Sequence, residues 1–233
     1  MKKYKVTAIL PLLVIAIQNY TAIAAQEQNW ELVSKEEGIT VETKDVAGSE
    51  LIMVRGNATL KEPLEKVFNL MIDHPTRKLW VDRLEHIERI HEIDGKLDAI
   101  THYIVDMPWP VSDRDFVVRT KIKFSPENNT ITSNTGSVFN YLPPQEGLIR
   151  AISHNSTVIL TKVDSEHTKI TIKARVEPKG SLPIFIVNYF QKRWARSTLV
   201  SLKEALNEIP MIKDVEFQRL TLGSKAPVKH RRL

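Results

Sequence analysis

From about Pro183 to Asn207 the chain carries one unbroken helical pattern, and the inward face of that helix limits the fold more than any other feature. At 100° per residue this face collects Ile184, Val187, Asn188, Gln191, Trp194, Ala195, Thr198, Leu199, Leu202 and Leu206. Asn188, Gln191 and Thr198 are polar, and an unpaired amide or hydroxyl in a solid core costs about 1 to 3 kcal/mol. Two arrangements accommodate them. The helix faces a cavity that holds water or a ligand with a polar head, or each side chain bonds to a nearby strand end. Gly180 and Ser181, the expected N-cap, introduce the helix.

The segments before it alternate with period two. Ile39, Val41 and Thr43 oppose Thr40, Glu42 and Lys44; after the turn "AGS", Ile52, Val54, Ala58 and Leu60 oppose Arg55, Asn57 and Thr59. From Glu62 to Asp73 the period becomes helical, with Leu64, Val67, Phe68 and Met71 on one face, and Pro75 opens a second short helix carrying Leu79 and Trp80. Strand alternation returns at Leu97–Val105, Phe116–Ile122 and Ile170–Val176. The pattern predicts an antiparallel sheet with one wet side, curved around the terminal helix with space between them.

Composition narrows the chemistry. There is no cysteine among the 233 residues, which excludes disulfides, a thiolate nucleophile and a Cys-based metal site. Lys2, Lys3 and Lys5 precede an apolar run from Val6 to Ile17, and Ala22-Ile23-Ala24 offers a small-x-small cleavage signal, so residues 1–24 read as a secretory signal peptide. The run is short for a membrane span, and a retained N-terminal anchor is the alternative. Residues 25–209 form the expected domain, and 210–233 a basic, flexible tail that is loosely solvated or touches anionic headgroups. With the leader and tail set aside, the formal charge of +5 falls to about −2 for Ala25–Pro210. A near-neutral body lacks the basic face a nucleic-acid binder needs.

The stretch "DMPWPVSDRDFVV", Asp106–Val118, places two prolines around Trp109 between two strands. Pro108 and Pro110 fix φ and bias the preceding residues toward extended geometry, so Trp109 sits in a rigid turn. Asp113, Arg114 and Asp115 are then placed to pair with each other and with backbone amides, with direct ligand contact as the second possibility. "PWPVSDRDFV" resembles the signature bend of the START family, the steroidogenic-acute-regulatory-related lipid-transfer domains. The likeness extends over "W…EEGITVETKDVAGSELIMVRG", "RKLWVD", "YLPPQEGLIRA" and "EPKGSLPIFIVN", which together cover almost all of Trp30–Asn207.

The resemblance implies an α+β helix-grip fold that encloses one lipid or sterol in a tunnel under the terminal helix, for lipid transfer or sensing, without cofactor or metal. The leader, the Met-Lys-Lys opening and the absence of cysteine point to a bacterial secreted or periplasmic protein, expected as a monomer. Burying about 14 methylenes at about 0.8 kcal/mol each gives on the order of 11 kcal/mol before binding costs. The expected ligand-binding residues are Tyr103, Thr120, Asn188, Gln191, Trp194 and Thr198; Trp109, Arg114 and Asp115 shape the bend. Several sterol-binding members place an acidic residue and an arginine inside the tunnel. The corresponding positions here are Tyr103 and Thr120, while Arg119 lies one residue off, on the opposite face. Ile186 and Phe190, outside the inward face and close to Lys192, Arg193 and Arg196, are the expected contacts with a membrane surface. The turn Ser125–Thr130 is either a mobile gate or an ordinary hairpin.

The wider helix-grip superfamily contains cyclases and hydrolases, so an enzyme acting on a hydrophobic substrate is the alternative. Against it, the seven histidines show no HExxH pattern, and no nucleophile elbow, P-loop or dinucleotide fingerprint is present. A protein-binding adaptor is the third class.

Overall fold

The computed structural model describes residues 29–223. Residues 1–24, expected as a signal peptide, and the last ten residues of the expected tail lie outside the described residues.

Alternating segments become strands. β1 (Glu31–Glu36), β2 (Ile39–Val46) and β3 (Ser49–Leu60) open the sheet, and two short helices follow, α1 (Leu64–Ile72) and α2 (His74–Arg77). Asp73 caps α2 by accepting from the Thr76 amide at 3.1 Å. The chain then adds β4 (Leu84–Asp94), β5 (Asp98–Val105), β6 (Arg114–Ser125), β7 (Thr130–Ser137), β8 (Ile149–Arg150), β9 (Ile152–Ser153), β10 (Ser156–Lys162), β11 (Thr168–Ala174) and β12 (Val176–Glu177). It ends in α3 (Ile184–Glu208) and α4 (Glu216–Leu222).

The main sheet runs in the order β1-β2-β3-β11-β10-β7-β6-β5-β4, with β8 attached in parallel to β6 and β12 paired separately with β9. From β2 to β4 every neighbouring pair on that path is antiparallel. The sheet curves around α3, as its alternation and the polar-flecked helix predict. Pro183 is the N-cap of α3 and has no side-chain cap bond, so Ser181 does not cap it. The Pro183 carbonyl instead accepts from the Ile186 and Val187 amides.

Helix and sheet meet closely at Gly56, where an added Cβ would lie 2.9 Å from Leu199 Cδ1 and 3.1 Å from an Ile172 side-chain carbon. The main core spreads from that contact. Ile39, Val41, Val54, Ile170, Leu199 and Leu202 are buried together, with Phe68 of α1 in the same cluster.

Two expectations need correction. The outer face of the sheet is not wet throughout, because on β5 and β6 Ile100, His102, Asp115 and Val117 are buried. Residues 138–150 fold over that region: the Val138 amide donates to Val117 and the Ala151 amide to Asp115. Nor is the segment after Pro210 wholly loose. Ile212, Phe217 and Leu220 pack against the core, the Phe217 ring lying 5.9 Å from Phe68. Asn69 donates to the Ile212 carbonyl, Lys96 pairs with Asp214, and Arg219 pairs with Asp94 and Glu216. Arg219 and Asp214, read as part of a solvated tail, are therefore ion-paired to Asp94 and Lys96 at the β4–β5 turn, while Phe217 and the Asn69 bond hold the segment against α1.

Candidate lipid cavity

Between α3 and the inner face of the sheet lies a cavity of about 390 Å³, within the roughly 300–1,000 Å³ range of small-molecule sites. Strand phase determines its wall. Ala99, Thr101, Tyr103 and Val105 of β5 line it, as do Phe116, Val118, Thr120 and Ile122 of β6. Val187, Gln191, Trp194, Thr198, Leu199 and Leu202 close it from the helix side.

Of the residues expected to bind ligand, Tyr103, Thr120, Gln191, Trp194 and Thr198 line this space. Asn188 does not. Its amide accepts from the Ile52 nitrogen at 3.3 Å and donates to the Glu50 carbonyl at 3.1 Å, so it ties α3 to the start of β3. Gln191 does both jobs: Oε1 accepts from the Val176 amide at 3.1 Å, while Nε2 is buried without a hydrogen-bond partner. The Thr198 hydroxyl and the Trp80 indole nitrogen, both on lining residues, are likewise buried and unpartnered. Thr120 shares a hydroxyl bond with Thr135 at 2.9 Å, and Arg119 points away to bond Asp98 through both carboxylate oxygens.

Sequence reasoning overlooked the cations. His74, Arg77, Arg89, Lys96 and Arg114 line the cavity, against one lining carboxylate, Asp82. Three of the charges are engaged elsewhere: Arg89 pairs with Glu92, Lys96 with Asp214, and Arg114 bonds backbone carbonyls. Arg77 differs. Its Nε donates to the Met71 carbonyl at 2.9 Å, and among the described residues no carboxylate lies within ion-pair distance of its guanidinium. Burial pushes its pKa down to about 10, which leaves it charged at neutral pH. Burial, and then the charges of Arg77, Arg89 and Lys96, pushes His74 down to about 3, so this imidazole is neutral. Burial also raises the Tyr103 phenol above its usual range, partly opposed by Arg77. The Tyr103 ring stacks on Phe116, with centroids 4.7 Å apart. The only sequence signal for this wall was the quoted motif "RKLWVD", in which Arg77 sits.

The proline bend is a clamp. The Met107 amide donates to Asp113 at 2.8 Å, and Arg114 donates to the carbonyls of Ser112, Pro178 and Lys179. Asp115, 1% exposed, accepts from Arg150 Nε at 3.0 Å and lies 3.1 Å from His102 Nε2. The three charged residues thus bind surrounding loops and strands, not one another. Trp109 itself is 92% exposed and does not line the cavity. Of the expected membrane contacts, Ile186 is half-buried, while Phe190 is 41% exposed and also lines the cavity. The turn Ser125–Thr130 contributes no lining residue; its Asn129 carbonyl accepts from the Lys162 amide, and the Thr130 and Thr161 hydroxyls bond, as in an ordinary pinned hairpin.

Comparison with known proteins agrees with this architecture. A crystal structure of a STAR-related lipid transfer protein fragment from Xanthomonas axonopodis superposes with a TM-score of 0.70 at 26% identity, covering 77% of this chain and 99% of that one. Human StAR-related lipid transfer protein 5 shares the fold, with a TM-score of 0.70 at 21% identity over 84% of this chain and 98% of that one. An uncharacterized protein of Pseudomonas aeruginosa is 27% identical over 181 residues, 78% of this chain and 88% of its own length. The START domain family model matches residues 16–210, so the chain belongs to the START domain family.

Proposed function

We propose that the protein binds one lipid with an anionic head, its chains in the apolar cavity, and carries it between membranes. The observation that carries this reading is Arg77, a half-buried cation on the cavity wall with no carboxylate partner among the described residues. A charge partly withdrawn from water is costly unless paired, and a phosphate or carboxylate headgroup supplies the pair through charge-assisted hydrogen bonds. The largely aliphatic wall of β5, β6, β11 and α3 accounts for the chains. The names of the solved relatives, lipid transfer proteins, support carriage over catalysis.

The test is extraction from vesicles. Protein incubated with vesicles of neutral lipid containing an anionic phospholipid is re-isolated and its bound lipid identified by native mass spectrometry. The expected result is one anionic phospholipid per chain, lost in Arg77→Met while that variant still melts cooperatively. An Arg77→Met variant with undiminished anionic phospholipid would overturn the assignment of the head to Arg77.

A further inference from the structure

The helix side of the cavity carries two polar groups that no part of the protein satisfies. Gln191, 8% exposed, has its Oε1 fixed by the Val176 N–H, and that bond establishes which end of the amide is which. Nε2, with two N–H donors, is left buried without a partner on a residue that lines the cavity. Thr198, 5% exposed, lines the same cavity, and its hydroxyl is also buried and unpartnered. A helical threonine can satisfy itself on the carbonyl four residues back; here Ser197 bonds the Trp194 carbonyl, and Thr198 makes no such bond.

The two residues are seven positions apart, so they share one face of α3 about 10 Å apart along its axis. Across the cavity the sheet's hydroxyls are partly engaged: Thr120 bonds Thr135, and Ser153 bonds Ser156 at 2.9 Å. Trp80 Nε1 is an unmet donor outside the helix; the other two, Gln191 Nε2 and the Thr198 hydroxyl, belong to α3, at positions where an apolar residue would fit the wall. Leaving a donor buried and unmet costs free energy in the empty protein that a ligand acceptor recovers. A fatty acid has its acceptors at one end only, and a hydrocarbon-like ligand has none in its middle. A two-chain acyl lipid carries carbonyl oxygens between its head and its chains.

Resting on the anionic-lipid reading, we infer that Gln191 Nε2 and the Thr198 hydroxyl recognise acyl carbonyl oxygens, of an ester or an amide, and so select acyl lipids over alkyl ones. Arg77 holds the head, and α3 reads the linkage.

The experiment compares a diester phospholipid with its dialkyl ether analogue of the same anionic head and chain length, each titrated into wild type, Gln191→Met, Thr198→Val and the double variant. Thr198→Val removes a hydroxyl that bonds nothing in the protein, so it keeps the fold even if Gln191→Met, which also frees the Val176 N–H, does not. Wild type is expected to bind the diester about tenfold more tightly than the diether. Thr198→Val should narrow that ratio and the double variant abolish it, with diether binding unchanged. Equal binding of both lipids by wild type, or a ratio that survives in Thr198→Val and the double variant, overturns the inference while leaving the anionic-head reading intact. Binding of neither lipid overturns both.

Discussion

Gly56 of β3 and Leu199 of α3 meet so closely that a methyl group on the glycine would lie 2.9 Å from the leucine Cδ1. The contact sets how near the helix approaches the sheet, and hence the depth of the cavity beside it. The Ala195 carbonyl lies 3.4 Å from the same point, so the added methyl would also reach the helix backbone. Gly56→Ala should therefore cost about 1 to 3 kcal/mol through overpacking, read as a lower midpoint in urea. Because the strain is local to Leu199, adding Leu199→Ala should cost less than the two single changes sum to. Strict additivity would show that α3 shifts bodily instead.

Asp115 is the anchor of the covered outer face. Its carboxylate holds Arg150, whose Nη atoms donate to the carbonyls of Leu142 and Pro143, so one buried acid organises the 138–148 loop across the sheet. Asp115→Asn leaves Arg150 without its counter-charge, and breaking such a buried pair costs about 3 to 5 kcal/mol. Hydrogen exchange should show residues 141–148 deprotected first. A variant with wild-type stability would mean the loop is held by packing alone.

These two residues show where sequence and structure part. Period-two alternation places Tyr103 and Thr120 on the inner face with no ambiguity, because one register step reverses every side chain. The same logic reads His102 and Asp115 as solvent-facing, since nothing in β5 or β6 announces that a distant loop will cover them. Helical phase gathers Asn188, Gln191 and Thr198 on one stripe but cannot tell a strand edge from a cavity; Asn188 finds the β3 backbone and Thr198 does not. Arg77 escapes because α2 is only four residues long and offers no period. In α4 two apolar residues three apart, Phe217 and Leu220, are too few to stand out from a basic tail.

His74 makes the charged wall visible to pH. Its folded pKa of about 3 lies below the ordinary value of 6.5, so below pH 6.5 the unfolded chain takes up a proton that the folded chain refuses. Its contribution to stability is complete above pH 6.5 and is lost as pH falls toward 3. Asp98, Asp164 and Glu177 are also held below their usual values of 3.8, 3.8 and 4.5, but their losses begin lower. Of these four groups, only His74 loses stability between about 6.5 and 4.5. His74→Gln should flatten the fall in melting temperature across it. An anionic ligand beside Arg77 should flatten it too, by raising the His74 pKa; an equal slope in wild type and His74→Gln would remove the histidine from this account.

The last prediction concerns the membrane. Arg114 bonds the carbonyls of Pro178 and Lys179, so the bend bearing Trp109 is tied to the segment that leads into α3, where Phe185 and Tyr189 are also exposed. Met107, Pro178, Leu182 and Phe190 line the cavity from this end. Exposed aromatic side chains next to Lys192 and Arg193 have the composition that settles into an anionic interface. Phe190 is a poor probe of this, because it also lines the cavity and its loss would alter ligand capacity. Trp109→Ser with Phe185→Ser changes only exposed side chains. Each is worth up to about 2 kcal/mol if buried in lipid, so the pair should weaken binding to anionic vesicles at least tenfold. Intermembrane transfer should slow in proportion, with the amount of lipid bound at equilibrium unchanged. Normal vesicle binding by the double variant, with its fold intact, would place the docking surface elsewhere on the protein.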